Sequence, residues 1–144
     1  MMAGGDAGFW SFAVVQIAVA ALLLGIIFYA PGPWDLQRSI GTVLSIVSMA
    51  LLALSRYQLG KSFSVSPQAK ALVTHGIYSR IRNPIYIFSA LMAAGIILIF
   101  HRPKLFFLFF ILLPVQLLRA RQESRVLDSR FGEQYRAYRR KTWF

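Results

Sequence analysis

The sequence has 144 residues, of which 57% are hydrophobic, and it carries a formal net charge of +11. Neither a soluble domain nor a nucleic-acid-binding domain needs long apolar runs, so the two properties together indicate an integral membrane protein whose basic faces contact anionic lipid. The sequence contains no cysteine, which excludes a disulfide framework and a thiol nucleophile. With two histidines, His75 and His101, and no HExxH motif, the chain gives no indication of a metal site.

Four apolar segments predict an all-α integral membrane bundle that forms a single domain over residues 1–144. The expected spans are residues 9–29, 38–57, 84–100 and 104–119. The first segment is uncharged and lacks a basic n-region, so we interpret it as a retained span and not as a signal peptide. Residues 1–8 carry no structural signal.

Small residues recur along the second span at Gly41, Ser45, Ser48 and Ser55. Small side chains allow two helices to approach closely inside lipid. The pattern therefore predicts a helix contact along this face, with a helix of merely mixed composition as the alternative.

The third and fourth spans are short for a full crossing and are joined by the tight turn at residues 101–104. This arrangement predicts an antiparallel helical hairpin. Pro114 lies inside the fourth span and predicts a kink that frees a carbonyl group, although membrane helices also tolerate proline without one.

Residues 120–144 predict an amphipathic, basic helix that lies on the membrane surface and is broken near Gly132. Of the sixteen Lys and Arg residues, three lie in the two short outer connections and thirteen lie in the loop of residues 58–83, at its edge or in the tail. By the positive-inside rule, the loop, the tail and both termini are expected in the cytoplasm, where loop and tail can build one site.

The longest polar interruption between spans reads LVTHGIYSRIRNPIY, residues 72–86. Gly76 allows a tight turn or a close backbone approach. Asn83 and Pro84 are favoured at the N-cap and first position of a helix. We therefore predict a loop that leads into the N-terminus of a membrane helix, where free N–H groups can hold a polar ligand. A cationic connector at the membrane surface is the simpler interpretation.

Glu123 follows the last span among several arginines and is one of five acidic residues in the chain. Arg119 lies four residues earlier, on the same face of a helix. The two are expected to form either a surface ion pair or a ligand clamp at the mouth of the bundle.

Residues 72–86 and the later segment RARQESRVLDSRFGEQYRAYRR together resemble the isoprenylcysteine carboxyl methyltransferase family. That family is a branch of the wider membrane methyltransferases, which include phospholipid N-methyltransferases, and the resemblance covers about residues 70–140. The chain departs from the pattern at Asn83, where isoprenylcysteine enzymes have His, and at Ser124, which replaces the second Glu of a pair. These departures bear on the substrate.

The resemblance implies an enzyme that transfers a methyl group from S-adenosylmethionine to a lipophilic acceptor in the membrane, such as an isoprenylcysteine-type carboxylate or a lipid headgroup. It implies that Arg119 faces the substrate and that no side chain acts as a nucleophile. For an amine acceptor, His75 and Glu123 are the candidate proton acceptors. The residues that the resemblance assigns to the cofactor are Leu72, Val73, Tyr78, Asn83, Pro84, Ile85, Tyr86 and Glu123.

Two other functions stay open at this point. Membrane sterol or enone reductases share short elements of the C-terminal pattern and bind NADPH, but they are larger and have more spans. The second open function is that of a small non-enzymatic membrane subunit, whose basic loop and tail bind anionic lipid or a partner protein. Because a four-span bundle has a limited core, a homodimer is compatible with the sequence.

Overall fold

The structure is a computed structural model that describes residues 4–60 and 72–144, with side chains of the first helix described for Ser11 and from residue 13 onward. The described part is helical, as predicted, apart from an isolated bridge between Ile81 and Trp143. Short 3₁₀ segments occupy Gly76–Ser79 and Pro103–Leu108. The α-helices are α1 (Gly4–Tyr29), α2 (Leu36–Leu59), α3 (Pro84–Ile99), α4 (Phe109–Phe131) and α5 (Glu133–Lys141).

Helix α2 and the continuous helical segment Pro103–Phe131 are long and apolar enough to cross a membrane. Ala13–Tyr29 and α3 are shorter apolar helices. The four predicted spans thus all fall on helices, whereas the number of crossings stays a prediction. Helix α1 begins at Gly4, earlier than the expected residue 9.

The fourth span and the first half of the polar tail form one uninterrupted helix, although the sequence suggested a boundary near residue 119. Residues 119–131 are mostly good helix formers, and the helix ends only at Gly132, whose φ of +50° is easily adopted by glycine. The break predicted at Gly132 is therefore confirmed. As a result, Glu123 lies on the same rigid helix as the apolar part of α4.

Helices α2 and α3 pack closely through the predicted small residues. A Cβ atom placed on Gly41 would lie 2.6 Å from the carbonyl oxygen of Gly95, and Ser45 and Ser48 are fully buried. The close-contact interpretation of the second span is confirmed. The main partner of α3 is therefore α2, while α4 joins α3 through fewer contacts, among them a 3.0 Å hydrogen bond from Gln116 Nε2 to Ser89 Oγ.

Arg38, which the sequence placed in a short outer connection, lies in the first turn of α2 and is 1% exposed. Its Nη1 donates to the carbonyl of Gly32 at 2.8 Å and its Nη2 donates to that of Ile27 at 2.7 Å. The guanidinium also lies 4.4 Å from the ring centroid of Trp34. Arg38 is buried because it satisfies carbonyl groups that the end of α1 leaves without helical partners.

Asp35 completes this polar cluster at the start of α2. Its carboxylate accepts the backbone N–H of Arg38 at 2.8 Å and so caps α2. The other carboxylate oxygen lies 2.8 Å from Nε2 of His101, which follows α3. The start of α2 is thereby tied to the end of α3, as expected for two antiparallel neighbours.

Candidate functional site

The candidate site begins with a tight turn after residue 72. Gly76 has a φ of +60°, and a Cβ atom there would collide with the side chain of Gln58 at the end of α2. Oε1 of Gln58 accepts the N–H of Ile77 at 2.8 Å. The predicted close approach at Gly76 is confirmed, and Gln58, which the sequence did not single out, holds the turn against α2.

Helix α3 starts where Asn83 and Pro84 predicted it, and both residues are buried. The side chain of Asn83 makes no cap hydrogen bond. Its backbone N–H instead donates to the carbonyl of Phe144 at 3.0 Å. The amide that was expected to be available for a ligand at this position is therefore occupied by the tail.

The last residues of the chain pair with the loop in a short extended contact. Trp143 N–H donates to the carbonyl of Arg80 at 2.7 Å, and its own carbonyl accepts the N–H of Arg82 at 2.9 Å. The tail thus folds back on the loop instead of lying free along a surface. The expectation that loop and tail meet is confirmed by these contacts.

Three tyrosines join the loop to α5. Tyr135 is 1% exposed, and the hydroxyl of Tyr138 donates to the backbone carbonyl of Tyr78 at 2.7 Å. Tyr78 is 6% exposed, and its own buried hydroxyl has no hydrogen-bond partner among the described residues. A buried polar group in that state costs free energy unless a partner binds it.

Glu123 faces α3. Tyr86 donates its hydroxyl to Oε2 of Glu123 at 3.4 Å, which is long for an O–H···O hydrogen bond. Arg119 is exposed and forms no ion pair with Glu123, although the structure describes both residues. Of the two sequence interpretations, the surface ion pair is therefore wrong. The carboxylate keeps most of its capacity to accept hydrogen bonds.

Burial and nearby charges shift the pKa values of two tyrosine hydroxyls, those of Tyr78 and Tyr138. Burial raises the pKa of Tyr78, and the Glu123 carboxylate adds to this while Arg56 opposes it. Burial likewise raises the pKa of Tyr138 to about 12, with Arg82 opposing the effect. Both phenols stay neutral near pH 7, so they act as hydrogen-bonding groups and not as bases.

Among the predicted site residues, Tyr86 on α3 contacts Glu123 on α4, and Tyr78 lies close enough to Glu123 for that carboxylate to affect its pKa. Asn83 and Pro84 are buried at the start of α3. Ile85 is partly buried in the first turn of α3, and Leu72 and Val73 are partly buried at the edge of the described residues. His75 is exposed. Residues 61–71 of the predicted cofactor loop, with Lys61 and Lys70, lie outside the described residues.

Sequence reasoning missed Gln58, Tyr138 and Trp143 as parts of the site. Gln58 is the first residue of the predicted loop and belongs to none of the quoted motifs, and Trp143 acts through its backbone, so neither gave a side-chain signal. Tyr138 had a signal, because it falls at helical spacing from Tyr135 on an amphipathic helix.

The residues present fit the chemistry of S-adenosylmethionine, which bears a sulfonium, an ammonium and a carboxylate. Glu123 offers a carboxylate with spare acceptor capacity, and Tyr78 offers a buried hydroxyl without a partner among the described residues. Tyr78 and Tyr86 also offer aromatic faces to a cation.

In the comparison with known families, the model of the phospholipid methyltransferase family matches residues 36–134, more than half of the chain. Searches of curated proteins and of solved structures give no significant match. The matched region runs from the start of α2 into α5, so it includes the loop, α3 and Glu123. Together with its apolar helices, this match indicates a membrane methyltransferase that acts on lipid, and the chain belongs to the phospholipid methyltransferase family.

Proposed function

We propose that this protein transfers a methyl group from S-adenosylmethionine to a lipophilic acceptor that reaches the site from the bilayer. The observation that carries the proposal is that buried Tyr78 and partly buried Glu123 lie near each other with free hydrogen-bonding capacity. Glu123 makes only one long side-chain hydrogen bond, and the Tyr78 hydroxyl makes none among the described residues. Partly buried groups with free hydrogen-bonding capacity are suited to a polar ligand.

When bound, S-adenosylmethionine supplies an activated methyl group on its sulfonium. Glu123 accepts hydrogen bonds from the ammonium or ribose of the cofactor, and charge assistance strengthens the first of these. The rings of Tyr78 and Tyr86 stabilise positive charge by cation–π contact. The remaining cofactor-lining positions in this proposal are Leu72, Val73, Asn83, Pro84 and Ile85.

The chain's own contribution to catalysis is positioning and exclusion of water, since methyl transfer needs no protein nucleophile. Arg119, exposed on α4, orients an anionic acceptor group. An amine acceptor must also lose a proton. Glu123 is the better placed of the two proposed proton acceptors, because His75 is exposed on the loop.

The same proposal includes the arrangement in the membrane. Four helices of a single domain cross the bilayer, and both termini and the cofactor site face the cytoplasm, as the distribution of basic residues predicts. The cofactor then enters from water while the acceptor enters between helices. A homodimer is compatible with the exposed apolar surface of α1 and α4.

The test is transfer of a labelled methyl group by the protein reconstituted in bilayers, with an aminophospholipid and an isoprenylcysteine offered as separate acceptors. We expect transfer to one of them and, in Glu123→Gln, a loss in kcat/KM of about thirtyfold, as for a charge-assisted contact of about 2 kcal/mol. Glu133→Gln is the control, because Glu133 is an exposed acid on α5. Absence of transfer to lipid of any kind by folded protein would overturn the proposal.

A further inference from the structure

A cavity of about 390 Å³ lies between the residues that precede α3, one side of α4 and the tail. Its lining contains four arginines and one acid, Asp128, and we call it the arginine groove. The four arginines are Arg82, Arg121, Arg125 and Arg139. The groove is therefore a strongly cationic concave surface.

The arginines of the arginine groove outnumber the acidic side chains that line it. None of its four arginines forms an ion pair with a described residue. Asp128 is engaged elsewhere, since it accepts a hydrogen bond from Nε of Arg136 at 3.0 Å. Nε of Arg82 is buried and has no hydrogen-bond partner among the described residues. Such a cluster is stabilised by an anion.

The arginine groove borders the proposed methyl-transfer site, because Asn83 lines both, but its arginines on α4 lie on another side of that helix from Glu123. At 100° per residue, Arg121 and Arg125 each lie about 160° around α4 from Glu123. Backbone amides cannot hold the anion at the edge of the groove, because the N–H groups of Arg82 and Asn83 donate to carbonyls of the tail. Recognition therefore depends on guanidinium side chains.

The position of the groove along α4 indicates which kind of anion it binds. The exposed surface of α4 is apolar as far as Leu118, and Leu117 lines the end of the groove nearest to this apolar surface. The arginines begin directly after it. This change from apolar to cationic surface is the pattern expected where a helix leaves the hydrocarbon core and enters the headgroup layer.

We propose that the arginine groove binds the phosphate of an anionic phospholipid headgroup, with the acyl chains lying along the exposed apolar surface of α4. Guanidinium groups match phosphate oxygens in bidentate hydrogen bonds. An anionic headgroup fits better than a zwitterionic one, because a headgroup ammonium would meet four arginines. The groove shares Asn83 with the proposed cofactor site, but the test substitutes only Arg121 and Arg125, which have no role in the proposed methyl transfer, so failure of one proposal is distinguishable from failure of the other.

The test is calorimetric titration of the protein in nonionic detergent with a soluble short-chain phosphatidylglycerol and, separately, with inorganic phosphate. We expect saturable binding of the lipid, at least about tenfold weaker in Arg121→Gln/Arg125→Gln. The control, Arg102→Gln/Arg130→Gln, removes the same charge from exposed positions outside the groove and should change the affinity less than about twofold. Arg121→Lys/Arg125→Lys, which keeps the charge, should bind with intermediate affinity.

Equal weakening in the groove variant and the control would overturn the inference, because net charge alone would then explain binding. Inorganic phosphate that binds as tightly as the lipid would overturn the assignment to a headgroup. Absence of lipid binding by folded wild-type protein would overturn the site itself. Arg121 and Arg125 are exposed and form no ion pairs with described residues, so both variants are expected to fold.

Discussion

The regions at the two ends of helix α2 differ in how many hydrogen bonds their buried polar groups make. At its start, the Arg38 guanidinium donates to the carbonyls of Ile27 and Gly32 and covers the ring of Trp34. Beyond its other end, Glu123 receives one long hydrogen bond, and the Tyr78 hydroxyl receives none from the described residues. Both regions withdraw polar atoms from water, but only the first gives most of them partners within the chain.

This difference separates a structural cluster from a candidate binding site in the same small protein. A buried charge whose hydrogen bonds are made by the fold stabilises the fold, and removing it leaves carbonyls without partners. A buried group whose hydrogen bonds are left open costs stability until a ligand supplies them. Substitutions at the first end should therefore change stability, and those at the second should change binding.

The largest expected effect is at Arg38. Arg38→Met removes both hydrogen bonds and leaves buried carbonyls without donors, so we expect the free energy of unfolding to fall by about 3 kcal/mol. Thermal unfolding in detergent measures this. Arg102→Met, an exposed arginine at the same end, should change it by less than about 0.5 kcal/mol. Equal stabilities of the two variants would place Arg38 outside the structural cluster.

A matched pair of tyrosines provides the next test. Tyr138→Phe removes a 2.7 Å hydrogen bond to the carbonyl of Tyr78 and should cost about 1 kcal/mol of stability. Tyr78→Phe removes a hydroxyl without a described partner, so stability should stay unchanged or rise by up to about 1 kcal/mol, while affinity for S-adenosylhomocysteine falls about fivefold. Unfolding and ligand titration are measured on both. Loss of stability in Tyr78→Phe with unchanged affinity would reverse the comparison.

The pairing of tail and loop is tested through the backbone of Trp143. Trp143→Pro removes the N–H that donates to Arg80, and we expect a loss of about 1 kcal/mol in stability together with a severalfold loss of cofactor affinity. Trp143→Ala keeps the N–H, and the side chain is 80% exposed, so this variant should resemble the wild type. If alanine and proline act alike, the side chain and not the backbone pairing supports the loop.

The smallest expected effect is the pH dependence of the stability that Asp35 contributes at the start of α2. The Arg38 N–H, and then His101, lower the pKa of Asp35 below its ordinary value of 3.8. A carboxyl group whose pKa is lower in the folded state than in the unfolded state adds stability that is fully present above the unfolded-state pKa. This stability is lost as the pH falls through the lowered folded-state pKa. Wild type should thus be slightly more stable than Asp35→Asn near neutral pH, with the difference shrinking as the pH falls below 3.8. A difference independent of pH would contradict this.

Local signals in the sequence predicted the helical elements and part of the site. Asn83 and Pro84 marked the start of α3, Gly132 marked the end of α4, and Gly41 marked the close α2–α3 contact. Each of these features depends on one or two neighbouring residues and their backbone preferences. The isoprenylcysteine acceptor, the assignment of the cofactor residues and the topology stay predictions.

The contacts that the sequence could not predict join distant segments through groups without a local signal. The burial of Arg38 had no signal in the sequence, because its partners are backbone carbonyls. The partner of Glu123 was expected on its own helix at Arg119, whereas tertiary packing gave it Tyr86 on α3. Hydrogen bonds between the backbones of Trp143 and Arg80 leave no trace in side-chain patterns.

The most direct test of the account is calorimetric titration of the detergent-purified protein with S-adenosylhomocysteine, beside Glu123→Gln and its control Glu133→Gln. We expect saturable binding by the wild type and the control, and binding about thirtyfold weaker in Glu123→Gln, with all three proteins unfolding at the same temperature. Absence of binding by folded wild-type protein, or equal affinity in all three, would contradict the claim that the open hydrogen-bonding groups beside α3 and α4 form the cofactor site.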